Sequence, residues 1–350
     1  MRSKPPRLKL SWRFWSVLAS VVIVALGISV HYYTERAAEQ ALIRSGFAIG
    51  YDPSPGYALY GPVLDPVAEK KRAHETLSGR LKWTFARHVR FINGQRSAQL
   101  MDAPGGLTND DLLPMRRLGH VESLAIGFQP ITDAGLEHIS GMSSLRELNL
   151  CGTRITGDGL HALAKLHKLE NLAIEFTNVG DDGLRHLVSL QNLRTLHMMD
   201  VPLTGDGLKF VGKLTNLESL GISDTEIESD DLRWIARLPR LKELYLSNTL
   251  IDDTAAIHIG RLRSLETLDV AGTAVGDEFL TGIASLTNLR WLQTDGTKVT
   301  DESVDTICAF PKLEYFSAYR TSISDPNHDR IDDVTNSNYE SAVIGGPAAE

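Results

Sequence analysis

Paired carboxylates, histidines and cysteines are the residue types that could do chemistry in this chain. Asp269 and Asp295 stand on successive copies of a 24-residue repeat, and two carboxylates on neighbouring strands could in principle share the acid and base roles of polymer hydrolysis. They are offset by two residues along the strand, and nothing in their surroundings marks one as the acid. His138, His186 and His258 share one register, two and three repeats apart. At roughly 10 to 15 Å of stacked-strand spacing they lie too far apart for one metal ion, and the spacing predicts solvated histidines on a polar face. Cys151 and Cys308 are six repeats apart, on a strand and a helix. That is roughly 30 Å, beyond the reach of a disulfide. The chain has no phosphate-cradling glycine loop, H-E-x-x-H, C-x-x-C or G-x-S-x-G. The expectation is a protein that is not an enzyme and needs no cofactor or metal.

What positions these residues is the repeat itself. On the pattern L-x-x-L-x-L, the first apolar position falls at Val121, Leu145, Leu169, Leu193, Leu217, Leu241, Leu265, Leu289 and Leu313, with no gap. A fixed period of this size signals a solenoid. Apolar residues alternate in the first half of each copy (Leu148 and Leu150, Leu244 and Leu246), as in a strand. In the second half they recur three apart (Leu160, Leu163, Leu166), as on a short helix or 3₁₀ segment. Neither stripe can be buried by one copy alone, so the core forms only when copies stack.

Two polar columns support the turn between strand and helix. Thr153, Thr177, Thr225, Thr249, Thr273, Thr297 and Thr321 share a position where a hydroxyl can bond the backbone, which predicts a structural ladder. Asp133, Asp158, Asp181, Asp206, Asp230, Asp253, Asp277 and Asp301 precede the helical stripe. Calcium binding is one reading of such a column, but its place predicts capping of free N–H groups.

The segments TRITGDGL at Thr153, TNVGDDGL at Thr177 and PLTGDGL at Pro202 resemble leucine-rich repeats of the ribonuclease-inhibitor-like kind, in the subgroup reading T-x-I-T-D-x-G-L. The resemblance covers about two-thirds of the chain. It implies an α/β leucine-rich-repeat solenoid with parallel strands on a concave face and short helices on a convex one. Thr replaces the family's usual Asn or Cys, and the copy at Ile251 replaces the G-L pair with Ala255 and Ala256.

Arg2, Lys4, Arg7, Lys9 and Arg13 precede an apolar run over residues 14–33, and no acidic residue comes before Glu35. About 20 apolar residues span a bilayer, so one N-terminal transmembrane helix is expected. The basic flank places residues 1–13 in the cytoplasm and the repeats outside it, with Trp12, Trp15, Tyr32 and Tyr33 at the interfaces. A cleaved signal peptide is the alternative, but no small-x-small site follows the run. Residues 34–96 are read as a juxtamembrane helix (35–46), a loop and an N-terminal cap, 97–325 as the repeat domain with a divergent first copy, and 326–350 as a disordered tail. An anchor followed by T-D-x-G-L repeats resembles a group of bacterial membrane-anchored leucine-rich-repeat proteins. The absence of an N-x-S/T acceptor fits a periplasmic location.

The whole chain carries a net charge of −8. Without the five N-terminal positives, 31 Lys and Arg face 44 Asp and Glu, a charge of −13. Nucleic acid is therefore not an expected partner. Over the nine copies the strand residues facing away from the core number 27 from Ser123 to Tyr319, three in each; they include Glu147, Glu175, Glu243, Asp269 and Asp295, and no Lys or Arg. Tyr245, Trp291, Tyr315 and Tyr319 gather toward the C-terminal end, and such aromatics dominate interface hot spots. The candidate partner-binding set is Glu243, Tyr245, Asp269, Trp291, Asp295, Tyr315 and Tyr319, and it suits a neutral or basic protein or peptide. The function read from this is a membrane-anchored recognition scaffold. The alternative is a structural envelope protein that associates with itself through its convex helices or an open last coil.

Overall fold

The computed structural model describes residues 48–50, 91–93, 107–118 and 120–344. The expected membrane segment (14–33) and the juxtamembrane helix (35–46) lie outside the described residues. Among those described, no helix is long and apolar enough to cross a membrane.

One sheet of eleven strands runs in chain order: β1 (Ala48–Gly50), β2 (Phe91–Asn93), β3 (Ser123–Ala125), β4 (Glu147–Asn149), β5 (Asn171–Ala173), β6 (Thr195–His197), β7 (Ser219–Gly221), β8 (Glu243–Tyr245), β9 (Thr267–Asp269), β10 (Trp291–Gln293) and β11 (Tyr315–Ser317). From β3 to β11 the pairing is parallel, and Leu124, Leu148, Leu172 and their successors lie directly opposite one another. Unbroken 24-residue spacing is what keeps this leucine column in register. β1 pairs antiparallel with β2, and β2 parallel with β3. The divergent first coil thus takes its strand from residues 91–93, ahead of the expected start at 97. Its helical part is where the spacing placed it, with Leu112, Met115 and Leu118 fully buried on a 3₁₀ segment, Asn109–Arg117.

The return of each coil is a short α-helix, as at Asp133–Ile139, Gly205–Val211 and Asp277–Ile283, or a 3₁₀ segment, as at Asp158–Lys165 and Ser229–Trp234. Successive coil starts approach so closely that a Cβ on Gly183 would lie 2.5 Å from the Gly157 Cα, which explains the glycine of the G-L pair. In the copy at Ile251 the small Ala256 takes the leucine place, and the bulky Phe279 of the next coil is fully buried at the position where the copies from Gly135 to Gly207 carry Gly. The core stays filled.

Each strand ends in a residue with left-handed backbone, and the position is the same in all nine coils from Phe128 to Arg320. Gly152, Gly272, Gly296, Asn248, Asp200 and Asp224 adopt that conformation at low cost. Phe128, Phe176 and Arg320 do not. The threonine hydroxyls close the same turn: Thr153 donates to the Leu150 carbonyl at 2.6 Å, and Thr177, Thr225, Thr249, Thr273, Thr297 and Thr321 do likewise. These bonds stay within one coil, so the column is a set of turn locks and not a ladder between coils.

The aspartate column links coils where capping of its own helix was expected. Asp133 accepts from the Thr156 N–H (2.8 Å) and hydroxyl (2.7 Å), Asp181 from Thr204, and Asp277 from Thr300, each one coil on. Asp206 and Asp230 instead point to solvent and pair with Lys209 and Arg233.

A further column holds the opposite edge of the sheet. Glu122, Arg146, Glu170, Arg194, Glu218, Lys242, Glu266, Arg290 and Glu314 alternate in sign on nine consecutive coils. Arg146 pairs with Glu170, Arg194 and Lys242 both reach Glu218 (3.0 and 2.9 Å), and Arg290 reaches Glu314 (2.6 Å). Residues one strand spacing apart attract when their charges alternate.

After Asp325 the expected disorder gives way to a helix, Asp325–Ile344. Ser324 caps its start, Arg330 bonds Asp305 at 2.7 Å, and Ile331 and Thr335 are buried. Two buried residues four apart suffice to lay one face of an otherwise polar helix on the end of the repeats.

Candidate recognition surface

The outward residues of the strand face fall into two parts. In its middle, His197 is half-buried between carboxylates and an aromatic ring. Its Nε2 lies 3.2 Å from the Ser219 Oγ, its Nδ1 3.9 Å from Glu175, and its ring meets Tyr245 edge-on, with centroids 6.0 Å apart. The two rings sit on β6 and β8. They meet because β7 contributes only Gly221 between them; a Cβ there would press on the His197 ring at 3.2 Å. Burial pushes the His197 pKa below its ordinary value, opposed by Glu175 and Glu243. Tyr245 is pushed up to about 12 by burial, then by Glu243, whose carboxylate lies 3.4 Å from its hydroxyl.

Cys151 donates to Glu175 at 3.0 Å, and burial followed by the Glu175 charge drives its pKa up. It stays a thiol, which rules it out as a neutral-pH nucleophile. Both cysteines are free. Burial raises the Asp269 pKa, and the carboxylate accepts from the Ala271 N–H at 2.9 Å.

Toward the C-terminal end the surface opens. Trp291 and Tyr315 stack with ring centroids 3.7 Å apart, and Tyr319 is 76% exposed. Asp295 accepts from the Ser317 hydroxyl (2.6 Å), the Tyr319 N–H (2.7 Å) and the Gln293 amide (3.1 Å). It thus anchors the last strand, and its charge also acts on Asp269.

Of the seven candidate residues, Trp291, Tyr315 and Tyr319 form the exposed group, while Glu243, Tyr245 and Asp269 lie half-buried toward the middle. Residues on this face that the sequence reading left out are His197, with its Ser219 contact, and the exposed Phe176 at the strand exit. The strand alternation would have found His197. The three helix-side histidines are less solvated than expected: His138 and His258 bury Nδ1 without a protein hydrogen-bond partner, and His258 Nε2 lies 3.7 Å from Asp230. Among the described residues, no group of three or more His, Cys, Asp and Glu could hold a metal ion.

The geometry of stacked strand, left-handed turn and short helix agrees with two family models described as leucine rich repeat, which match residues 215–275 and 141–164. Over those segments the chain carries leucine-rich repeats. No curated protein matches it. Among solved structures, the repeats are similar to internalin C2 from Listeria monocytogenes, at 20% identity and a TM-score of 0.47, over 62% of this chain and 84% of that one. They are also similar to an internalin (inlF) from the same organism, at 17% identity and a TM-score of 0.33, over 69% of this chain and 90% of that one. A third is the plant peptide hormone receptor RGFR1 in complex with RGF2, at 16% identity and a TM-score of 0.42. The match covers 60% of this chain and 34% of the receptor.

Proposed function

We propose that this leucine-rich-repeat protein, of the ribonuclease-inhibitor-like subgroup, is a non-enzymatic recognition module held at a membrane by residues 14–33. Its repeats face the periplasm or an equivalent space, and its strand face binds a neutral or basic protein or peptide. The observation that carries this reading is the pairing of a strand face free of Lys and Arg with the exposed cluster of Trp291, Tyr315 and Tyr319. An acidic face steers a basic partner, and rigid aromatics bury large area while losing few rotamers.

The test is proximity labelling in intact cells, comparing the native chain with a Tyr245→Ala/Trp291→Ala/Tyr319→Ala variant whose unfolding is checked alongside. A labelled partner lost in the folded variant supports the assignment; an unchanged set of partners overturns it. The competing reading is self-association through the convex helices or the last coil; at that coil the helix Asp325–Ile344 buries Ile331 and Thr335, which argues against an open end.

A further inference from the structure

Off the strand face, Leu250 and Trp234 line one groove, and Ile257 stands on the adjoining helix at the repeat position of Arg233, one coil on. Leu250 is 61% and Ile257 65% exposed, and Trp234 exposes its ring beside Leu250. The repeat makes their identity informative. At the Leu250 position the other coils carry Pro130, Arg154, Asn178, Pro202, Glu226, Ala274, Lys298 and Ser322, and at the Ile257 position every other coil from Glu137 to Asp305 carries a polar residue. Neither large side chain fills the core. Both departures fall on one coil.

The groove, of about 400 Å³, lies between three coils. Glu226, Glu228 and Asp231 line it. Asp231 is fixed there by accepting the Glu228 N–H at 3.0 Å, and its carboxylate occupies the space that any Cβ on Gly205 would take. Arg233, the basic residue of the lining, is already engaged by Asp230 and lies over the Trp234 ring at 5.1 Å. The groove therefore offers apolar anchor points with an unneutralised acidic rim.

We infer that this flank is a second docking site, for a basic amphipathic segment of another protein whose apolar side chains rest on Trp234, Leu250 and Ile257 while its Lys or Arg residues meet Glu226, Glu228 and Asp231. It is independent of the strand face. An apolar contact ringed by charge of one sign selects a partner of the opposite sign and weakens with salt.

The test is calorimetric titration of the full chain, in detergent, with a synthetic amphipathic Lys/Leu helical peptide and its Glu/Leu counterpart. Leu250→Ser/Ile257→Ser touches only exposed side chains and should leave unfolding unchanged while weakening the Lys/Leu peptide by about tenfold or more. Because the strand face would itself take a basic peptide, the pair is also compared in the Tyr245/Trp291/Tyr319 triple alanine background: there the Lys/Leu peptide should still bind, Leu250→Ser/Ile257→Ser should remove that remaining binding, and the Glu/Leu peptide should not bind. Equal binding of the Lys/Leu peptide by the Leu250/Ile257 variant overturns the site, and equal binding of both peptides to the native chain overturns the charge argument. Sedimentation showing a native dimer that the variant dissociates would assign the patch to a second copy of this chain and overturn the inference.

Discussion

Trp291 and Tyr315 occupy equivalent positions on adjacent strands and stack with their ring planes 21° apart. The stack fixes both rings before any partner arrives, so little rotamer freedom is left to lose on binding. Single and double alanine substitutions should reveal a coupling of about 0.5–1.5 kcal/mol in denaturant unfolding. Strictly additive losses would mean that the rings merely lie near each other.

Asp277 accepts both the N–H and the hydroxyl of Thr300 across the coil boundary. Asp277→Ala removes both bonds, and with them the one that the Ser303 hydroxyl donates to the same carboxylate, and should destabilise the repeats by about 2 kcal/mol or more. Asp206→Ala, in the same column but facing solvent, should fall within about 0.5 kcal/mol of the native chain. Chemical denaturation of both variants checks this, and similar losses at the two sites would refute the division of the column into linking and solvent-facing members.

Gly152 combines a φ of +62° with a ring in its path: a Cβ would come within 2.5 Å of Phe128. The left-handed backbone alone costs an alanine about 1–2 kcal/mol, and the clash adds to it. Gly152→Ala should therefore cost distinctly more in the native chain than in a Phe128→Ala background, read from unfolding midpoints. Equal costs in the two backgrounds would show that the ring simply moves aside.

The leucine columns were legible because buried strands and helices impose their own periods on sequence, and nine ungapped copies repeat them. Trp291, Tyr315 and Tyr319 followed from strand alternation alone. The reach of Asp133 to Thr156 was not legible, since an offset along the chain does not say whether a carboxylate bonds its own coil or the next. The left-handed column was hidden because Phe128, Phe176 and Arg320 break the Gly, Asn and Asp pattern that betrays such a turn. The helix after Asp325 was hidden because Ile331 and Thr335 are too sparse a stripe to outweigh a polar composition. The alternating charges from Glu122 to Glu314 could have been read directly, because they share one repeat position.

His197 links the strand face to pH. Burial lowers its folded-state pKa below the ordinary 6.5, so on acidification the unfolded chain takes up the proton first. Its contribution to stability is therefore complete above the ordinary histidine range and is lost as pH falls through about 6.5 and below. Asp269 works in the opposite sense, because burial raises its pKa and its protonation favours the folded state, but that occurs lower in pH, in the carboxylate range. Between pH 7 and 5.5 the native chain should lose stability more steeply than His197→Gln, which cannot titrate yet keeps a polar group beside Ser219. Denaturant midpoints across that window decide it. Parallel curves would mean that imidazolium at position 197 is held comfortably between Glu175 and Glu243, and that burial does not govern its charge.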